Sequence, residues 1–181
     1  MVESPNVIVE NQLVRFIPTE PVDSDLAVRK LGAQKKDDYT IHILDTPRAT
    51  IVIDKDGNIV VHGSQKVEAA RAAAREFLLR LGLSDEGLST ELGSVVASFK
   101  FNNPVKTESV RGRIGPIATL DERLGCSRIV DKIHNMELLI WPNGKVIALG
   151  AKHHNLVMMA AQHWLNKFSD EKLFILPAIN D

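Results

Sequence analysis

The stretch that decides the fold is LLIWPNGKVIALGAK, residues 138–152. Asn143 and Gly144 lie at its centre, and because both residue types tolerate positive φ they predict a tight type I′ turn between two strands. Apolar residues fill both flanks, without the alternation expected of a strand that has one face in water. The hairpin is therefore predicted to have two apolar faces, and something must cover or dock on the second one.

An earlier stretch, TIVIDKDGNIVVHGSQK (residues 50–66), matches this hairpin. Gly57 aligns with Gly144 and Gly63 with Gly150, at a constant offset of 87 positions. The register continues through the apolar stripe that follows, and an ungapped register through a hairpin and a helix favours a structural duplication. We therefore predict two repeats, residues 1–84 and 85–181.

Each repeat is predicted to run strand, short helix, strand, hairpin, strand, long helix. Apolar residues at helical spacing place the long helices at residues 66–81 and 152–168. The first short helix is expected near residues 23–31, with Asp23 or Ser24 as its N-cap. In the second repeat, residues 107–113 and 119–123 are both candidates for the short helix. The strands before the hairpins are expected near residues 39–44 and 128–133.

Alternation along the hairpins separates two sets of side chains. One set is Ile51, Ile53, Ile59 and Val61 in the first repeat and Leu138, Ile140, Val146 and Ala148 in the second. The other set is Val52, Asp54, Val60 and His62, with Leu139, Trp141, Ile147 and Leu149. One long helix per repeat can cover only one set. The other is predicted to be a broad, mostly apolar surface, which usually marks an interaction site.

The bulk composition excludes several classes of protein. The chain is 44% hydrophobic with a net charge of −1, a balance that argues weakly against a nucleic-acid partner. The single Cys126 can form neither an internal disulfide nor a cysteine metal cluster. No signal peptide or membrane-spanning apolar run is present, so an intracellular protein, in the cytoplasm or nucleoid or in a nucleus, is expected. No nucleophile, phosphate loop or metal-ligand spacing stands out, and we predict no enzyme, metal or cofactor.

The second hairpin resembles LIFxSGKxVxTGAK, a signature of the TATA-box-binding protein family. VENQLVRF (residues 9–16) and GSVVASFKF (residues 93–101) are similar to the first strand of that family, ENIVASV. The resemblance covers residues 7–168. It implies an α+β saddle, in which two pseudo-symmetric repeats form one curved antiparallel sheet with two long helices on the convex face. It also implies a transcription initiation factor whose concave sheet binds and bends double-stranded DNA at an AT-rich minor groove.

The resemblance further implies which residues contact DNA. Trp141, Leu124 and Tyr39 fall at or near the positions of aromatic wedges, whereas Asp54 occupies the counterpart of Trp141. The base-contacting asparagine is Asn11, and the apolar contacts are Leu13, Val52, Val60, Val96, Leu139 and Ile147. The phosphate-facing residues are Arg48, Lys145 and Lys152. Glu122 falls near an acidic position that contacts transcription factor B, which implies a partner of that kind.

A protein-interaction module on the same fold is the alternative. Asp54, His62 and the near-neutral charge favour it, because a carboxylate on the docking face would repel phosphates. The concave face would then hold a protein partner, a second copy of the chain or a small hydrophobic ligand, and a homodimer through this face is one expectation for the free protein. Asp54 can also be a simple turn cap, and Trp141 an aromatic that packs on the turn.

Overall fold

The computed structural model describes residues 3–179, which fold as two compact units. One unit is Glu10–Ser94, called the first half here. The other, called the second half, runs from Val95 onward and includes the segment that ends at Val9. Each half combines antiparallel strands with helices, which confirms the predicted α+β class. The predicted division into repeats at residues 84 and 85 stays a prediction.

The first half is built from a sheet and two helices. In chain order its elements are β1 (Ile8–Ile17), α1 (Ser24–Leu31), β2 (Gln34–Lys35), β3 (Thr40–Asp45), β4 (Arg48–Ile53), β5 (Ile59–His62) and α2 (Val67–Arg80). The strands pair antiparallel in the order β2-β3-β4-β5-β1. Helix α1 begins where the Asp23 carboxylate accepts a hydrogen bond from the Asp25 N–H, and it ends at Gly32 with φ +68°. Both short and long helix were predicted to within a residue at each end.

The second half repeats this order. Its elements are β6 (Ser89–Lys100), a 3₁₀ turn (Thr107–Ser109), α3 (Val110–Ile114), β7 (Ala118–Asp121), β8 (Cys126–Asp131), β9 (Met136–Ile140), β10 (Lys145–Ala151) and α4 (His154–Asp170). The strands pair in the order β6-β10-β9-β8-β7. The short helix corresponds to the first candidate. The second candidate, residues 119–123, is wrong, because this segment pairs with β8 and then turns around the Asp121 carboxylate.

In each half the long helix covers one face of the sheet. The set Ile51, Ile53, Ile59 and Val61 is fully buried in a core that contains Ala70, Ala73, Ala74 and Phe77 of α2. The set Leu138, Ile140, Val146 and Ala148 is buried in the same way with Val157, Ala160, Trp164 and Phe168 of α4. Each such aliphatic side chain contributes roughly 1.5–3 kcal/mol by burial. Alternation left open which set each helix covers, and the structure shows that the covered set is the one without Val52, Val60, Leu139 and Ile147. Within residues 3–179, no helix is both long and apolar enough to cross a membrane.

The decisive hairpin is present, but its turn is not type I′. The Trp141 N–H donates to the Lys145 carbonyl (2.9 Å), and the Gly144 N–H donates to the Trp141 carbonyl (3.0 Å). Pro142, Asn143 and Gly144 thus form a three-residue loop, a type I turn followed by a bulge with Gly144 at φ +90°. The type I′ prediction is wrong because Pro142 holds the first turn position at negative φ. Only the glycine then needs positive φ.

The first hairpin closes with the same hydrogen bonds at the same offset. The Asp54 N–H donates to the Asn58 carbonyl (3.0 Å), and the Gly57 N–H donates to the Asp54 carbonyl (3.1 Å). Gly57 has φ +80°, close to the value at Gly144. Shared loop geometry 87 residues apart supports the duplication that the sequence pattern predicted.

Candidate nucleic-acid interface

The surface of interest is the sheet face opposite the long helix, called the helix-free face of each half. In the first half, cross-strand partners place Ile41, Val52, Val60 and Arg15 in one row on this face. Ile43, on the neighbouring row, is 68% exposed, so this part of the face is open to solvent. Leu13 lies on the same face of β1, since Val14 and Phe16 point into the core. The helix-free face of the first half thus carries a row of aliphatic side chains, and the last residue of this row is the charged Arg15.

Arg15 brings charge onto this face. Its guanidinium lies 4.0 Å from the Asp54 carboxylate and 3.7 Å from that of Glu91, measured between nitrogen and oxygen. Asp54 is also the cap of its turn, because one carboxylate oxygen accepts the N–H groups of Asp56 and Asn58, each at 2.9 Å. The turn-cap interpretation of Asp54 is confirmed. A carboxylate therefore stands where the second half has Trp141.

Three predicted first-half residues lie at the ends of this face. Tyr39, which directly precedes β3, is 44% exposed and lines the same depression as Asp54. The Asn11 side-chain oxygen accepts the Gly63 N–H (2.8 Å), so the amide group of Asn11 is held in one orientation and its NH₂ remains a donor. Burial lowers the pKa of His62 below its ordinary value, which keeps this imidazole neutral at pH 7.

The helix-free face of the second half is more apolar at its centre. Cross-strand partners place Ser98, Ile147, Leu139 and Arg128 in one row. Leu139 is only 8% exposed because its neighbours shield it. Val96 lies on the same face of β6, between the buried Val95 and Ala97.

Trp141 and Leu124 meet at the end of this row. The indole N–H of Trp141 donates to the Leu124 carbonyl (3.2 Å), which fixes the ring beside the β7–β8 turn. Leu124 is 42% exposed. The Trp141 ring therefore lies beside the backbone of Leu124, although 17 positions separate these two predicted wedge residues.

Arg128 crosses the same face and was missed by the sequence analysis. Its guanidinium binds the carboxylates of Glu137 and Asp121, the latter at 3.2 Å. The hydrogen bond from the Leu124 N–H holds the pKa of Asp121 below its usual range; burial opposes this, and the contacts with Arg128 add to the lowering. The only sequence signal was the opposite charge of these residues, and that signal becomes readable once the strand register is known.

The remaining predicted contacts are exposed cations and one exposed carboxylate. Arg48 opens β4 opposite Asp45, Lys145 opens β10 opposite Lys100, and Lys152 follows the end of β10. Glu122 lies in the β7–β8 turn. All four side chains belong to exposed residues that a macromolecular partner could reach.

A buried polar cluster lies away from this face and joins the β8–β9 turn to α4. One Asp131 carboxylate oxygen accepts the Trp164 indole N–H (2.7 Å) and contacts the His134 imidazole (2.8 Å), while the other accepts the His134 backbone N–H (2.9 Å). Burial alone would raise the pKa of Asp131, but these hydrogen bonds outweigh it and lower the pKa. The cluster is structural, because it anchors the helix that covers the core.

Comparison with known proteins identifies the fold. The structure superimposes on Methanococcus jannaschii TBP with a TM-score of 0.81 over 92% of this chain and 99% of that one, at 16% sequence identity. No protein-family model matches the chain. A TBP-related factor of Drosophila melanogaster is 23% identical over 170 residues, which cover 87% of this chain and 76% of the relative. The TATA-box-binding protein of Bombyx mori is 26% identical over 153 residues, or 78% of this chain and 50% of the relative.

The chain is similar in sequence to TATA-box-binding proteins and to a TBP-related factor, and it has the fold of an archaeal TBP. The structural match confirms the predicted TATA-box-binding protein fold, and the relatives confirm the resemblance drawn from the hairpin signature. The chain spans about half the length of the Bombyx TATA-box-binding protein. The first half of this chain carries a charged cluster at Arg15 and Asp54.

Proposed function

We propose that the chain is a TATA-box-binding-protein-like transcription initiation factor, which binds double-stranded DNA at an AT-rich minor groove and bends it. The observation that carries this proposal is the pairing of Trp141 with Leu124 beside the apolar row of Leu139 and Ile147. The minor groove displays few polar signals, so an apolar surface is suited to it. Apolar side chains at the rim can enter between base pairs and kink the duplex.

The polar contacts of the proposed interface are few. The NH₂ group of Asn11 would donate to the acceptors on the floor of the minor groove, because its oxygen is occupied by Gly63. Lys145, Lys152 and Arg48 would contact phosphates. Since each phosphate contact contributes about −0.9 to the slope of log affinity against log salt, we expect a shallow salt dependence. In this proposal the protein works where chromosomal DNA is, in a nucleus or a nucleoid.

A transcription factor B-like protein is the proposed partner. Glu122 is exposed in the β7–β8 turn, next to Leu124, where a basic side chain of a partner could reach it. Because an exposed charge pair contributes little affinity, Glu122 would help to select the partner more than to hold it.

The second candidate is a protein-interaction module, and the cluster of Arg15, Asp54 and Glu91 favours it. Two carboxylates on the helix-free face of the first half would repel DNA phosphates. A protein surface that carries both charge signs would suit this face better. The free chain would then associate with a protein partner or with itself.

Gel-shift titrations separate the two candidates. The DNA-binding proposal requires binding at low salt to a duplex with a TATA sequence, more tightly than to a scrambled duplex. If neither duplex is bound at low salt, the proposal fails. Light scattering of the free protein gives the second criterion, since a dimer that dissociates when AT-rich DNA is added supports DNA binding. A dimer that is indifferent to DNA supports the interaction module.

The wedge role has its own test. Trp141→Ala should reduce DNA bending, measured by energy transfer between the ends of a labelled duplex. Leu79→Ala on α2 is the matched control, because it also truncates an exposed apolar side chain, on a helix. Unchanged bending in Trp141→Ala at saturating protein would refute the wedge assignment.

A further inference from the structure

We propose that Lys100 and Lys145 form a clamp for one phosphate group, and that its occupant is a phosphodiester of bound duplex DNA. The occupant rests on the proposed function, whereas the clamp itself rests on geometry. Lys145 was predicted to face phosphates, but Lys100 was not predicted to have any role. The clamp adds a second cation to that contact.

The two lysines are direct cross-strand partners. β6 and β10 pair antiparallel with Lys100 opposite Lys145, one position beyond the pair of Phe99 and Val146. Because Phe99 and Val146 point into the core under α4, alternation places both lysines on the helix-free face. Directly opposite residues have Cβ atoms only about 4.5–5.5 Å apart, so both ammonium groups can reach one anion.

This arrangement is unfavourable without an anion. Like charges directly opposite each other destabilise a strand pair. Among the ion pairs formed by residues 3–179, none involves either lysine. The lysines line a depression of about 500 Å³ that extends to Leu165 of α4, so this depression is not confined to the helix-free face. Glu3 also lines this depression, but within residues 3–179 it forms no ion pair with either lysine.

The position of the clamp fits a phosphate next to an inserted aromatic ring. The Trp141 N–H donates to the Lys145 carbonyl, so Lys145 lies between Lys100 and Trp141 across the strands. A duplex kinked at Trp141 would bring its backbone towards the two lysines. The first half offers no such pair, because Ile17 and Asn58 occupy the corresponding positions. We therefore infer that the second half holds the DNA backbone more firmly than the first.

The salt dependence of duplex binding tests the clamp. Fluorescence anisotropy with a labelled AT-rich duplex gives the slope of log affinity against log salt between about 50 and 200 mM KCl. Lys145→Gln alone should leave the slope nearly unchanged, because Lys100 still neutralises the phosphate. Lys145→Gln combined with Lys100→Gln should lower the magnitude of the slope by about 0.9, the value for one phosphate contact. Lys132→Gln, an exposed lysine in the β8–β9 turn, should leave it unchanged. A full loss in Lys145→Gln alone, an unchanged slope in the double variant, or an equal loss in Lys132→Gln overturns the proposal.

Thermal unfolding without DNA guards against misfolding. Because Lys100→Gln removes a like-charge contact, we expect its melting temperature to rise at low salt while duplex affinity falls. A variant with a damaged fold would instead show both a lower melting temperature and a lower duplex affinity.

Inorganic phosphate provides the arm that is independent of DNA. Lysine side-chain NMR signals, assigned from the single variants, are followed as phosphate is added to the wild-type chain. Saturable shifts of both lysines that disappear in Lys100→Gln support the clamp. If wild type binds no duplex but shows these shifts, the proposed function fails and the clamp serves a free phosphate. A linear drift shared with Lys132 overturns the clamp.

Discussion

Replacing Gly144 by alanine tests the hairpin geometry that defines each half. Gly144 has φ +90°, and a Cβ atom there would lie 2.8 Å from the Phe101 carbonyl oxygen and 2.9 Å from that of Asn103. Both are backbone atoms, so the loop itself must shift. Gly150, in the strand β10 that follows the loop, is the matched control, since it has φ +77° but, among the described residues, no atom within 4 Å of the added Cβ.

The two substitutions separate backbone strain from collision. Positive φ costs a non-glycine residue roughly 1–2 kcal/mol, so Gly150→Ala should destabilise the chain by about that amount. Gly144→Ala carries the same cost, and it also displaces the hydrogen bond from the Phe101 N–H to the Gly144 carbonyl (2.9 Å). Losing such a bond costs about 1 kcal/mol or more, which brings the total to about 2–4 kcal/mol.

Urea unfolding followed by tryptophan fluorescence measures both variants, because Trp141 and Trp164 lie in the second half. We expect Gly144→Ala to be clearly less stable than Gly150→Ala. If the two free energies of unfolding agree within about 0.5 kcal/mol, the spread typical of neutral substitutions, the collision is not real. Gly57→Ala should behave like Gly144→Ala, since its Cβ would lie 2.9 Å from the Pro21 Cα.

Three further predictions concern charge. Hydrogen bonds lower the pKa of Asp131, so the stability that this carboxylate contributes is complete above about pH 4 and is lost as pH falls through the folded-state pKa. In Asp131→Asn, the urea midpoint should therefore depend less on pH below about 4. Burial, and then Arg80, lowers the pKa of His42, so stability should fall as pH drops below about 6.5; His42→Leu should weaken this dependence and leave the part that comes from His62. Asp54→Asn keeps a side-chain oxygen for the turn cap and removes a negative charge, so it should tighten duplex binding in gel shifts without lowering the melting temperature; a loss of affinity would contradict the repulsion argument.

The elements that the sequence predicted well are those with a local signal. Both hairpins carry a glycine at a turn, and both long helices carry an apolar stripe at helical spacing. The short strand β2 carries no such signal, because it spans only two residues and exists by pairing with β3. Strand β7 has only four residues and also lacks a clear signal, so residues 119–123 were equally compatible with a short helix. A strand of this length is decided by its neighbour, not by its own residues.

The features of the candidate site also divide into those that have a local sequence signal and those that do not. The apolar set that includes Leu139 and Ile147 and the rim position of Trp141 followed from alternation and from the family resemblance. The contact of Trp141 with Leu124, the Arg15 cluster and the opposition of Lys100 to Lys145 did not. Each joins residues on different strands, and a linear pattern contains no information on which positions face each other.

The sequence by itself therefore predicted two repeats, and it determined the secondary structure around the two hairpins and the apolar character of both sheet faces, because periodicity and turn chemistry are local. Only the tertiary structure decided which charges meet on the helix-free faces. Strand register brings residues from distant parts of the chain into contact, and the energy of a charge depends on what lies opposite it. That register makes Asp54 a capped carboxylate beside Arg15 and places Lys100 against Lys145.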